Sequence, residues 1–184
     1  MKEYSLKDLE KKANEILELV NELKQRAAEN FELIEISALI DQAIEKANES
    51  DEFRDVQGKI EINRQIDKGL PRVKADEILR EVFINFLTNA AKEMPNGGLI
   101  EINASSDGES VLVSFKDKGR GIPPEMHHMI FDTQFSTDEK PGHGIGLWWS
   151  RAYVRALGGE ILLDSDRGRG ACFTVKMPIP HEEK

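Results

Sequence analysis

The sequence predicts an α+β fold, a two-layer α/β sandwich in which a mixed, largely antiparallel sheet carries helices on one face, preceded by an N-terminal coiled-coil helix. Three observations point there. Apolar residues recur at spacings of three and four over 78–94 and again after Gly146, as in helices with one buried stripe. Apolar and polar residues alternate on either side of short turns at 106–109 and 166–170, as in hairpins. Helices and strands do not alternate one to one, which disfavours a doubly wound parallel sheet. The 184 residues, 39% hydrophobic and 32% charged, suit one soluble domain with an appendage.

Composition also excludes function classes. A net charge of −9 and a pI near 5.1 oppose a nucleic-acid backbone or an anionic membrane as main partner. The single cysteine, Cys172, cannot close an internal disulfide, which favours a reducing compartment. No apolar run approaches the about 18 residues of a membrane span, and the N-terminus lacks the apolar centre of a signal peptide. The chain as given is expected to be cytoplasmic.

Taken in order, residues 1–30 form the appendage. Leu6, Leu9, Ala13, Ile16, Val20, Leu23 and Ala27 alternate threes and fours, the a/d repeat of a coiled coil, and predict a homodimer through residues 6–27; packing of the seam on its own domain is the alternative. The second domain, 31–184, opens with a short strand at 31–36. Ser37 then caps a helix reaching about Asn48, with Leu39, Ile40, Ala43, Ile44 and Ala47 inward. Residues 49–57 read as a charged loop, Ile60 and Ile62 as a strand, and 67–69 as a turn.

The helix after Asp76 buries Ile78, Leu79, Val82, Phe83, Phe86, Leu87, Ala90 and Met94, and the breakers Pro95, Asn96, Gly97 and Gly98 end it. One strand follows with Ile100, Ile102 and Ala104 on its core face, and the returning strand presents Val111, Val113 and Phe115. A short helix is expected over 124–130 and a long aperiodic loop over 131–143. The next helix carries Trp148, Trp149, Ala152, Tyr153, Ala156 and Leu157 and stops at Gly158 and Gly159; one tryptophan is expected to pack on the sheet. Two last strands, 161–163 and 171–177, flank a glycine-rich turn.

Three stretches carry chemistry. Glu81, Asn85, Asn89 and Lys92 fall on one line of their helix, within about 80° of arc and outside the apolar stripe. A neutral amide oxygen can enter the oxygen shell of a magnesium ion that also holds water and phosphate, and a lysine one turn away can meet phosphate; the same residues also suit a plain solvated face. Asp117, Gly119 and Gly121 end a strand. Such a run often marks only a turn, yet the glycines would let backbone approach a flat ligand and leave Asp117 as a fixed acceptor for an exocyclic amine. Gly142, Gly144 and Gly146 precede a helix, where backbone N–H groups and the helix N-terminus can wrap phosphate. No Walker lysine follows, and the dinucleotide fingerprint lacks its preceding strand.

In this order the motifs resemble the ATP-binding catalytic domain of sensor histidine kinases, of the GHKL superfamily (Bergerat fold) shared with gyrase, Hsp90 and the mismatch-repair ATPases, over roughly residues 31–180. The resemblance implies that Asn85 to Lys92 (NFLTNAAK) is the N box, with Asn89 the magnesium ligand, Asn85 beside it and Lys92 toward the phosphates of ATP. It implies that Asp117, Gly119 and Gly121 form the G1 box, with Asp117 the acceptor for the adenine amine. Phe131 and Phe135 match the F box, and Gly142, Gly144, Ile145 and Gly146 the G2 box. Residues 132–143 would be the ATP lid, with Lys140 a phosphate contact, while Ile122, Ile130 and Leu147 would line the adenine pocket.

Departures from the family pattern sharpen the reading. Asn85 stands where ATP-hydrolysing relatives carry a glutamate base, and an amide cannot accept a proton at neutral pH, which favours the histidine-kinase branch. Glu81, a turn earlier, is expected to be a surface charge or to support the site from behind the residues that touch the ligand. Ala171 replaces the Thr or Ser usual after the last glycine. None of the four histidines, His127, His128, His143 and His181, lies in the heptad helix, so the phosphoacceptor histidine is expected on another chain or on a part not present, with a phosphoacceptor histidine domain or a response regulator as partner. A serine kinase or ATPase of the same superfamily, or a nucleotide-gated interaction module, are the alternatives.

Overall fold

The structure, a computed structural model, describes residues 31–132 and 146–180. The expected heptad helix, Phe135, Lys140, Gly142, His143, Gly144, Ile145 and His181 lie outside the described residues. Strand β1 (Glu32–Ile34) is shorter than the alternation implies and pairs antiparallel with a strand that local pattern did not reveal, β3 (Val73–Ala75). Helix α1 (Ile36–Asn48) begins one residue before the expected cap, and Ser37 does not cap it: its hydroxyl donates to Glu35 Oε1 at 2.7 Å. Ile36 draws the start forward because its side chain opens the buried stripe of Ile36, Leu39, Ile40, Ala43 and Ala47. The expected loop after it holds a one-turn helix, α2 (Asp51–Arg54), where Ser50 Oγ accepts the Phe53 N–H and Asp51 and Glu52 sit in the first turn.

β2 (Ile60–Ile66) and β4 (Gly98–Ser106) run parallel, a pairing that requires a long crossover. That crossover contains β3 and α3 (Leu79–Glu93), and it lays α3 on the sheet. β5 (Ser110–Lys116) pairs antiparallel with β4, and β7 (Ala171–Pro178) with both β5 and β6 (Glu160–Ser165), giving the order β2-β4-β5-β7-β6. The sheet is thus mixed and largely antiparallel, as expected.

Alternation assigns its faces. Ile100, Ile102, Ala104, Val111, Val113, Phe115, Ala171, Phe173, Val175 and Met177 are buried on one side, whereas Glu101, Asn103, Ser114 and Thr174 on the other side are less buried. Onto the apolar face α3 presents Val82, Phe83, Phe86, Leu87 and Ala90. Phe115 and Phe173 are opposed across β5 and β7; Phe83 meets Phe115 at 5.2 Å, and Phe86 stacks on Phe173 at 5.1 Å between centroids.

Two expected elements differ. Over 124–130 only a 3-10 turn, Pro124–Met126, is regular, since the segment buries Ile130 alone and has no apolar stripe to hold a longer helix. Helix α4 (Gly146–Ala156) buries Ser150, Tyr153 and Val154, followed by Leu157, so Trp148 and Trp149 flank the buried line and are half-buried. Trp149 stacks on Tyr153, one turn on, with centroids 5.4 Å apart.

Candidate functional site

The apolar stripe of α3 fixes the helix about its axis, and the polar line of Asn85 and Asn89 is thereby turned toward the start of α4. The two helices meet closely. A Cβ on Gly146 would stand 2.4 Å from Asn85 Oδ1, so a side chain there would have to displace the carboxamide. One turn later, Ser150 Oγ accepts a hydrogen bond from Asn85 Nδ2 at 3.0 Å. Asn85 Oδ1 in turn accepts from Asn89 Nδ2 at 3.4 Å. With its nitrogen engaged in this way, Asn89 has its carbonyl oxygen left as the acceptor at the end of the row.

Ser150 is fully buried and was not among the residues the sequence singled out. Its signal lies in phase: Ser150, Tyr153, Val154 and Leu157 form the inward line of α4, and a small hydroxyl at such a position asks for a polar partner. At the other end of the same helix, the Tyr153 hydroxyl donates to Asp76 Oδ1, the oxygen that also accepts the Ile78 N–H at the entry to α3.

Gly146→Ala should act on the site and little on the fold. Alanine suits a helix, but its methyl takes the place of the Asn85 carboxamide oxygen, so the row is displaced. The expected outcome is a change in unfolding free energy within about 1 kcal/mol and a loss of magnesium-dependent nucleotide affinity. Thermal unfolding and calorimetry read the two separately.

The second pole of the site is built from strand ends. Asp117 is buried after β5, and its Oδ1 accepts the N–H of Gly119 at 2.7 Å and of Ala171 at 3.2 Å. Both bonds use one oxygen, and among the described residues no buried side-chain oxygen or nitrogen lacks a partner, so Oδ2 is not wholly enclosed. Burial pushes the carboxyl above its ordinary range; the Gly119 and Ala171 amides oppose this, and the charge of Glu93 adds to it. Ala171 thus supports the site through its backbone.

The glycine-rich turn between β6 and β7 packs under Asp117. Gly121 has φ +70, and a Cβ there would lie 2.0 Å from the Asp166 carbonyl oxygen. Ser165 Oγ accepts the Ile122 N–H at 2.8 Å and donates to the Gly170 carbonyl at 2.7 Å. Ile122 and Leu147 are half-buried, while Ile130 and Phe131 are buried. Phe131 meets Phe173 edge-on at 6.4 Å and lies beneath the Arg151 guanidinium at 5.0 Å, joining it to the core and to α4.

The profile of the family described as histidine kinase-, DNA gyrase B- and HSP90-like ATPase matches residues 74–181. The chain belongs to this family. Among curated proteins, the adaptive-response sensory kinase SasA of Rippkaea orientalis is 35% identical over 136 residues, which cover 70% of this chain and 35% of that protein. Among solved structures, the nucleotide-free catalytic domain of histidine kinase ThkA is 28% identical, with a TM-score of 0.69, covering 82% of this chain and 96% of that one. Full-length ShkA in complex with AMPPNP is 27% identical, with a TM-score of 0.70, covering 100% of this chain and 41% of that one. The chain spans about a third of the length of the curated relatives it matches.

The described residues therefore have the fold of a histidine-kinase catalytic domain. Within this frame the lysine of the amide-bearing helix has a partner the sequence did not indicate: Lys92 Nζ lies 3.4 Å from Glu52 Oε1 of α2. That contact engages one of the three donors of the Lys92 ammonium. Glu81 is an exposed charge beside Arg80 at 3.3 Å. No cluster of His, Cys, Asp and Glu suited to a metal occurs among the described residues. Asn89 fits magnesium on other grounds, as an uncharged oxygen donor for an ion whose shell is otherwise water and phosphate.

Proposed function

We propose that the chain is the ATP- and magnesium-binding catalytic domain of a two-component sensor histidine kinase, a transferase that passes the γ-phosphoryl group to a histidine on another chain or domain. The observation that carries this reading is the hydrogen-bonded row Ser150–Asn85–Asn89 beneath Gly146, which unites the amide-bearing helix with the helix that follows the phosphate-loop glycines. Asp117 accepts the adenine amine at Oδ2 while the G1 glycines give the base room. Lys92 and Lys140 contact phosphate, Asn89 ligates Mg²⁺, and Ile122, Ile130, Ile145 and Leu147 border the nucleotide. A magnesium ion held by Asn89 would supply charge neutralisation at the phosphates, leaving positioning as the main task of the chain's own residues.

Asn85 supports kinase chemistry over hydrolysis. Both ends of its amide are engaged, and it has no basic lone pair with which to activate water. We further infer a homodimer through residues 6–27, with 1–30 as a coiled-coil domain and 31–184 as the catalytic domain, acting in the cytoplasm on a phosphoacceptor histidine domain or through it on a response regulator. Among the described residues no helix is long and apolar enough to cross a membrane.

Calorimetry with a non-hydrolysable ATP analogue tests the metal site. The wild-type chain should bind more tightly with Mg²⁺ than with EDTA, and Asn89→Ala should lose about 10- to 100-fold of the magnesium-dependent affinity. Equal metal dependence in both proteins would refute the assignment. Incubation with labelled ATP and separate acceptor domains then distinguishes phosphohistidine formation from release of phosphate alone.

A further inference from the structure

We propose that Ser150 is a positioning residue for the metal ligand, acting through Asn85; the inference rests on the function proposed above. A carboxamide has two unlike ends, and Asn89 serves magnesium only with its oxygen outward. Nothing in Asn89 itself selects that orientation. Its nitrogen is directed inward by Asn85 Oδ1 at 3.4 Å, and Asn85 is oriented by donating Nδ2 to Ser150 Oγ at 3.0 Å. Were Asn85 reversed, its nitrogen would face Asn89 and claim the oxygen the ion needs.

Ser150 is suited to hold the order. It is 0% exposed, so water cannot replace it. A hydroxyl oxygen carries two acceptor lone pairs, so Oγ can take the Asn85 N–H. Gly146, four residues before it, removes the Cβ that would displace the Asn85 oxygen. Positions i and i+4 of α4 therefore grip one amide, and positions i and i+4 of α3 relay its orientation to the ligand. This gives α4, the helix that follows the phosphate-loop glycines, a hold through Asn85 on the oxygen assigned to the metal.

The test compares the ratio of affinities for a non-hydrolysable ATP analogue with Mg²⁺ and with EDTA in wild type, Ser150→Ala, Ser150→Cys, Ser150→Thr and Asn89→Ala, each checked by thermal unfolding. Cysteine fills the serine volume but accepts hydrogen bonds weakly, whereas threonine keeps the hydroxyl. Ser150→Ala and Ser150→Cys should each lower the magnesium ratio by about tenfold, as for other groups that orient a ligand, and Ser150→Thr should retain it. A full ratio in Ser150→Cys would overturn the proposal, because packing alone would then account for the residue. If the alanine variant does not fold, the cysteine and threonine proteins decide. Loss of the ratio in Asn89→Ala with retention in Ser150→Cys refutes only the positioning role, whereas retention in Asn89→Ala refutes the metal site on which it rests.

Discussion

Asp117→Asn should preserve the sheet and weaken binding of an ATP analogue by about one to two orders of magnitude, measured by calorimetry. The two oxygens of Asp117 do different work. Oδ1 accepts the amides of Gly119 and Ala171 and so joins the end of β5 to the start of β7. An asparagine carbonyl can accept both, so the turn survives. Oδ2 is the oxygen assigned to the adenine amine; in asparagine an NH₂ replaces it, and a donor then confronts a donor. The ratio of ATP to GTP affinity should fall as well, because guanine offers a carbonyl to that NH₂. Undiminished ATP affinity would remove Asp117 from the base site.

The same substitution has a pH signature. Because burial raises the folded-state pKa of Asp117 above its ordinary 3.8, there is a window above 3.8 in which the folded chain retains a proton that the unfolded chain has released. Unfolded protein binds fewer protons there, so this group's contribution to stability falls as pH rises. Its penalty is absent below 3.8 and complete above the folded pKa. Asparagine does not titrate, so the difference in melting temperature between Asp117→Asn and wild type should move in favour of the variant as pH rises from 3.8. A difference independent of pH would mean that Asp117 ionises without cost in the folded state.

How far residues could be read from sequence depended on whether the cause lay nearby. The buried line of α3 was legible because its own spacing creates it, and Pro95 and Gly97 mark its end; only Ile78, in the half-formed first turn, is less buried than its place in the pattern implied. The hairpin alternation of β4, β5 and β7 was legible for the same reason. β3 was not, since three residues become a strand only by pairing with β1, far earlier in the chain. Helix α2 carried its cap in Ser50, but its charge obscured it. In α4 the bulk of Trp148 and Trp149 drew attention from the true inward line, and Ser150 had meaning only once Asn85 stood opposite. Lys92 illustrates the limit best: its helix position was evident, but its pairing with Glu52 arises from the placement of α2 against α3. The residues assigned to the site on α3 and after β5 stand in recognisable motifs, whereas Ser150, which accepts from Asn85, stands in none.

Phe86→Ala should be the most destabilising of the substitutions considered, at about 3–5 kcal/mol, out of a total near 5–15 kcal/mol for a domain of this kind. Phe86 is 2% exposed, stacked on Phe173 at 5.1 Å and tilted against Phe115 at 5.6 Å, so truncation leaves a cavity between α3 and two strands. Phe83, already against Phe115, cannot fill it without abandoning that contact. At about 2–4 °C per kcal/mol for a domain of this size, the melting temperature should fall on the order of 10 °C. The damage also reaches the site. Phe173 loses its stacked neighbour while still bearing the edge of Phe131, and Asn85 adjoins the vacated position on α3. Since a ligand that binds only the folded state stabilises by RT ln(1 + [L]/Kd), a saturating ATP analogue should restore less melting temperature in Phe86→Ala than in wild type. Chemical denaturation measures the loss of stability, and thermal unfolding with and without nucleotide measures the shift in melting temperature. A loss below about 1 kcal/mol would contradict the seating of α3 on β5 and β7, and with it the physical reason that Asn85 and Asn89 face α4.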